Sequence, residues 1–188
     1  MSTGVKTEII LIRHGRPRSA DNIRCTASGY ANWIRKYNAA DLDPKSKPAK
    51  LLSLNNYFVM SSDLYRARLT TRYYCGHGAC EYSSLFREMD IPYYRLPFRL
   101  RAWTWVYFSR ALWMAGAGGR FESYKDAKAR AEMAVNLLEV RAKTHKKIVM
   151  FGHGMMNREI RKRLQQRGWT VAEKDNGYWG VNRLHLNG

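Results

Sequence analysis

At 188 residues, with 45% hydrophobic and 13% aromatic residues, the chain can bury one hydrophobic core, which excludes disorder as its default and argues against two full domains. Its 33 Lys+Arg against 15 Asp+Glu give a formal net charge of +18, scattered from Arg13 to Arg183 with no block tail. Such a surface attracts anions (phosphorylated metabolites, acidic lipid or nucleic acid) and by itself does not choose among them.

The N-terminal stretch MSTGVKTEIILIRHG has too short an apolar run for a secretory signal and lacks a small-residue cleavage site, so a soluble, cytoplasmic protein is expected. Within it, residues 7–12 are a β-branched apolar run, the pattern of a buried strand, ending at Arg13. Residues 16–48 mix Pro, Ser, Asn, Asp and Gly with isolated aromatics and read as a long loop with room for one short helix. A short helix is expected over 50–55 and a second strand over 57–60. A helix to about Tyr74 follows, N-capped by the Ser61-Ser62-Asp63 cluster. Residues 79–83 suit a third strand and 85–90 a loop.

The most aromatic segment, FRLRAWTWVYFSRALWMAG at 98–116, carries Arg99, Arg101 and Arg110, which argues against a membrane-spanning helix. It is expected to be a helix whose aromatic side packs on the domain, and it is also a candidate cap over a crevice. Ser123 caps a long helix with Tyr124, Ala127, Ala131, Ala134 or Val135, and Leu138 on one face. Residues 147–151 form another strand, met by Gly152-His153-Gly154 and a helix to about Arg167, and a last short strand falls within 179–186. Strands alternating with helices define an α/β fold. The expectation is a three-layer sandwich with a mostly parallel central sheet flanked by helices, one domain over 1–188. Cys25, Cys75 and Cys80 are odd in number, have no metal-type spacing and read as reduced thiols.

IILIRHG and IVMFGHG share one plan, a buried strand and then a histidine flanked by glycine. In a parallel sheet His14 and His153 would both lie at the carboxyl edge, where open α/β sheets bind ligands. The glycines would let a ligand approach the backbone, and the helix opening at Gly154 would aim its free N–H groups at the same edge. Arg13, and Arg66 one turn into its helix, are fork-shaped donors suited to phosphate oxygens. Two histidines, two arginines and a helix end around one crevice make a phosphoryl site. Glu88 is the first candidate for the proton donor, with Asp90 second. Each of these residues taken singly reads as structural or solvated; their order along the chain carries the weight.

That order resembles the histidine phosphatase superfamily, the group containing cofactor-dependent phosphoglycerate mutase and many small phosphatases. The matching pieces are LIRHGRP, SSDLYRARLT at 61–70, LFREMD at 85–90 and VMFGHGMMNR at 149–158. The resemblance implies that His14 is the phosphorylated nucleophile, that Arg13, Arg66 and His153 hold the phosphoryl group, and that Glu88 is the proton donor. Asp63 stands where many members have proline, and Arg16 where mutases have glutamate; with the aromatic segment, these departures favour a phosphatase over a mutase. The expected activity is hydrolysis of a small anionic phosphomonoester through a phosphohistidine. A phosphotransferase or mutase, or a phosphoprotein (phosphohistidine) phosphatase, is the alternative. A basic nucleic-acid-binding protein would account for the charge but not for the paired histidines, and no established nucleic-acid motif is present. The histidines lack a third ligand at zinc-like spacing, so no metal and no other cofactor is expected.

Overall fold

The computed structural model describes residues 6–186. Residues 1–5, on which the reading of the N-terminal leader partly rests, and 187–188, which end the expected 1–188 domain, lie outside the described residues. In chain order the elements are β1 (Thr7–Arg13), β2 (Arg24–Thr26), α1 (Ala27–Ala39), β3 (Phe58–Ser62), α2 (Tyr65–Cys75), β4 (Glu81–Ser83), β5 (Arg99–Arg101), α3 (Ala102–Met114), α4 (Tyr124–His145), β6 (Lys147–Gly152), α5 (Gly154–Gln166), β7 (Thr170–Lys174) and β8 (Val181–Leu186).

Six strands form one sheet in the order β4-β3-β6-β1-β8-β7. β1, β6, β3 and β4 run parallel, while β8 is antiparallel to both β1 and β7. The fold is therefore the expected α/β sandwich with a mostly parallel central sheet. β1 is continuously apolar because it is central and covered on both faces. Ile9 and Leu11 pack against α4 and α5 through Ala131, Leu138, Met156 and Ile160. Ile10 and Ile12 face the opposite layer, with Leu54, Tyr57 and Tyr74. The small-residue stripe Ala127, Ala131, Ala134 and Ala142 of α4 is fully buried, which brings that helix close to the sheet. Its start follows the sequence signal, since the Ser123 hydroxyl accepts from the Asp126 amide at 3.1 Å.

Several local expectations are corrected. Residues 50–55 form no helix; Pro44 and Pro48 precede them, and Leu54 drops into the core ahead of a turn closed by the Tyr57 amide on the Leu54 carbonyl at 3.0 Å. Ser61 and Ser62 end β3 instead of capping α2, whose N-cap is Leu64 without a side-chain bond. The segment 16–48 holds the 13-residue α1, not merely a short helix, because Tyr30, Trp33 and Tyr37 are its buried stripe. β7 was not expected.

The aromatic segment begins with β5, which pairs antiparallel with β2, before α3 starts. α1, α3 and this two-stranded ribbon enclose a second core containing Tyr30, Trp33, Tyr37, Trp105 and Val106. Tyr30 stacks on Trp105 at 5.5 Å between centroids, and the Trp105 indole N–H donates to the Cys25 carbonyl at 3.0 Å. The expectation that the aromatic side packs on the domain holds for Trp105, against α1, and for Trp113, in the first core, whereas Tyr107 and Phe108 are exposed. Among the described residues, no helix is long and apolar enough to cross a membrane.

Candidate active site

Register brings the two histidines together. Arg13 pairs with Gly152 across β1 and β6, and the His14 amide donates to the Gly152 carbonyl at 3.0 Å. His14 and His153 thus leave adjacent parallel strands at one level, with ring centroids 5.1 Å apart. Both are buried, at 1% and 0% exposure.

The ring of His14 is fixed at both nitrogens. Nδ1 lies 2.8 Å from the Gly15 carbonyl oxygen, which can only accept, so Nδ1 carries the proton. Nε2 keeps its lone pair and accepts from Arg66 Nε at 3.2 Å. Burial, followed by the Arg66 and Arg13 charges, holds the imidazole well below its ordinary range. The same order of causes, burial first and then Arg66, depresses His153, whose Nε2 lies 2.9 Å from the Ser62 hydroxyl at the end of β3.

Arg66 lies in the first turn of α2, nearer its start than the sequence suggested, and is 2% exposed. Its Nη1 donates to Asn38 Oδ1 at 3.0 Å, and its guanidinium lies 5.3 Å from the centre of the Tyr37 ring. Arg13 donates to the Asn176 carbonyl at 2.8 Å and lies over Tyr178 at 4.2 Å. Neither arginine has a carboxylate partner among the described residues. The Tyr37 and Tyr178 hydroxyls meet at 3.1 Å, and both rings lie beside His14, at 6.4 and 5.7 Å.

Glu88 shares a pocket wall with Arg66. Its Oε1 accepts from the Met156 and Met89 amides, each at 3.1 Å, and Oε2 accepts from the Met155 amide at 3.4 Å. The opening amides of α5, expected to face a phosphoryl group, are therefore partly occupied by this carboxylate. Arg110 of α3 comes within 3.8 Å of Glu88 Oε2. Arg130 of α4 holds the loop beneath by donating to the Leu85, Arg87 and Glu88 carbonyls at 3.1, 2.7 and 3.2 Å while paired to Glu122. Asp63, in place of proline, chelates Arg87 at 2.7 and 2.6 Å and ties the same loop to the end of β3. Asp90 accepts from the Glu122 amide at 2.8 Å and borders the same pocket as Glu88.

The glycines have a role other than the one expected. A Cβ on Gly15 would meet the Trp179 indole at 2.3 Å, and one on Gly152 would meet Asn157 Oδ1 at 2.4 Å. On Gly154 it would approach Arg13 Nε at 3.2 Å. They admit protein side chains that brace the site. Trp179 itself is held at φ 63, a strained conformation for a large residue, with its indole N–H donating to Ser46 at 2.9 Å.

Tyr37, Asn38, Ser62, Arg110, Arg130 and Tyr178 are not among the site residues expected from the sequence. Tyr37 and Asn38 fall in the segment read as loop, and Tyr178 in a turn between two short strands. Their one signal was the aromatic periodicity Tyr30, Trp33, Tyr37, which marks a helix face.

The fold is that of an α/β protein with a buried histidine pair, and two arginines without carboxylate partners among the described residues, at the carboxyl edge of its parallel strands. The sequence profile of the histidine phosphatase superfamily (branch 1) matches residues 48–185, and the chain belongs to that superfamily. Arg13, His14 and Gly15 lie before the matched stretch, so their place rests on the motif and on the geometry above. No curated protein matches the chain in sequence. Among solved structures, mycobacterial hydrolase 2 is similar over 97% of this chain and 83% of its own, at 17% identity and a TM-score of 0.57. A mutant of phosphoserine phosphatase from Entamoeba histolytica is similar over 96% and 94%, at 16% identity and a TM-score of 0.54. The alpha-ribazole phosphatase from Shigella flexneri is similar over 96% of both chains, at 13% identity and a TM-score of 0.53. At these identities the likeness is one of fold.

Proposed function

We propose that the protein is a phosphomonoesterase working through a phosphohistidine on His14. The observation that carries this is Arg66, a guanidinium 2% exposed, without a carboxylate partner among the described residues, and hydrogen-bonded to the unprotonated nitrogen of the His14 imidazole. An unpaired buried cation is costly and is compensated when an anion binds. A dianionic phosphoryl group provides that compensation, and Nε2 is the nucleophile it would meet.

In this reading a phosphoryl oxygen takes the Arg66 Nε–H from Nε2, which frees the lone pair. Nε2 then forms a bond to phosphorus as the ester P–O bond breaks, and Glu88 gives its proton to the departing alkoxide. The phosphorylated ring keeps Nδ1–H on the Gly15 carbonyl, so the positive charge that develops there is met by an acceptor. His153 and Arg13 face the equatorial oxygens. Water attacks phosphorus in the second step and gives its proton to the Glu88 carboxylate, and Nε2 departs. The arginines supply the positive charge, and the activity is metal-independent. The phosphatases of similar fold act, by name, on phosphoserine and alpha-ribazole phosphate, compounds in the class of small anionic esters.

The test is a screen of phosphorylated metabolites with His14→Ala as the blank, together with a denaturing quench at alkaline pH to trap labelled phosphate. An acid-labile, base-stable adduct on wild type alone is expected. Phosphate release by a folded His14→Ala protein at near wild-type rate would overturn the mechanism. Phosphate recovered on a second acceptor instead of in water would make the enzyme a transferase.

A further inference from the structure

The pocket lined by Arg66 and Glu88, of about 210 Å³, shares Asn38, Asp90 and Ile91 with a larger cavity of about 640 Å³. The two share this stretch of wall, and the larger one is bordered by α1 through Ala31, Ile34 and Arg35. An alcohol protonated by Glu88 would extend into this space.

The outer chamber has a distinct chemistry. Arg35, Arg95 and Arg120 line it, all exposed, and none takes part in an ion pair among the described residues. The arginines nearby behave differently: Arg87 is paired with Asp63, Arg110 with Glu88 and Arg130 with Glu122. The chamber's one carboxylate, Asp90, is held by the Glu122 amide. Three guanidiniums against one carboxylate leave an uncompensated positive field in a concave site. Tyr93 and Phe121 add aromatic wall, and the volume falls within the range of small-molecule sites. On the Arg13 side a cavity of about 420 Å³ also opens, but Arg16 there is already paired with Asp21 and Asp43.

We infer that the substrate carries a second anionic group, phosphate or carboxylate, on the alcohol portion, and that Arg35, Arg95 and Arg120 bind it. This rests on the reading of His14, Arg66 and Glu88 as the phosphoryl-transfer site.

Two series of alkylphosphonates of three to eight carbons, one ending in hydroxyl and one in a second phosphonate, test it by titration calorimetry on the whole protein at low salt. At one chain length or more, the two-anion ligand should bind about 10-fold more tightly than its hydroxyl partner, beyond the twofold statistical advantage of equivalent ends. That ratio should collapse in Arg35→Ala/Arg95→Ala/Arg120→Ala and should fall as salt is raised. If the triple variant does not fold, the single variants should each lower the ratio. A ratio of about two or less at every length in wild type, or one undiminished in the variants, overturns the inference. Trapping of labelled phosphate on His14 from a simple aryl phosphate separates the two claims. A high ratio without phosphohistidine removes the hydrolase and keeps the two-anion site, and the converse result removes only the site.

Discussion

In the mechanism proposed for His14, the tautomer it needs is set by one carbonyl. Gly15 can only accept, so the lone pair faces Arg66. His14→Ala should lower turnover by about 10⁴-fold or more, with the fold retained by circular dichroism. Glu88 gives a sharper test, because the need for its proton depends on the leaving group. Glu88→Gln should slow phosphorylation of the enzyme by alkyl phosphates by about 10²–10⁴-fold and by p-nitrophenyl phosphate much less, measured as single-turnover release of alcohol or phenol. An equal loss on both would make Glu88 a positioning residue, in keeping with its bonds to the α5 amides, and no loss on either would shift the role to Asp90. Gly15→Ala probes the brace. Its Cβ would enter the Trp179 indole, so a stability loss of about 1–3 kcal/mol is expected in urea unfolding, with reduced turnover in the folded fraction.

At the scale of elements, the site depends on two groups of helices with separate cores. α4 and α5 pack on the sheet, while α1 and α3 meet through Tyr30, Trp33 and Trp105, and α3 also reaches the first core through Trp113. Tyr37 and Asn38, which touch the His14–Arg66 pair, belong to the second group, and so does Arg110 beside Glu88. Loosening this small core should therefore disturb catalysis without unfolding the sheet. Trp105→Ala removes a fully buried indole, a change worth about 3–5 kcal/mol in a well-packed core. Hydrogen exchange should show lost protection in α1 and α3 while β1 and β6 stay protected. Uniform loss across all elements would mean that the two cores unfold as one.

At the scale of the molecule, two histidines buried as neutral bases link stability to pH. Their folded-state affinities for protons lie below the ordinary value near 6.5, through burial first and the arginines second. Below that pH the unfolded chain binds protons that the folded one does not, so stability is fully present above about pH 6.5 and declines as pH falls. His185, also depressed by burial first, acts in the same direction. The slope from the two site histidines approaches about 2.7 kcal/mol per pH unit where both are protonated only in the unfolded state. Urea midpoints between pH 7.5 and 5 should show this decline, and His14→Gln/His153→Gln should flatten it. A decline of the same steepness in that variant would place the linkage elsewhere.

The strands at 7–13 and 147–152 were legible because a continuous apolar run in a short segment has few other uses. The α4 face was legible for a similar reason: alanines at helical spacing leave little else for that helix to do. The paired His-Gly motifs, with Arg66 and Glu88 between them, carried the proposed phosphoryl site because strand ends in a parallel sheet share an edge. Local pattern could not show that the Trp179 indole fills the gap at Gly15, since Trp179 reaches it only through the pairing of β8 with β1. Nor could it show the full length of α1, whose aromatic stripe is interrupted by polar residues and gains its burial in part from α3, more than sixty residues later. The occupation of the α5 amides by Glu88, the Tyr37–Tyr178 contact and the unpaired arginines of the outer chamber are likewise consequences of packing. Sequence by itself determined the chemistry of the edge, because that depends on residue type and strand period. Tertiary structure decided which charges are neutralised and which are left for a ligand, because ion pairing is a matter of distance between segments far apart in the chain.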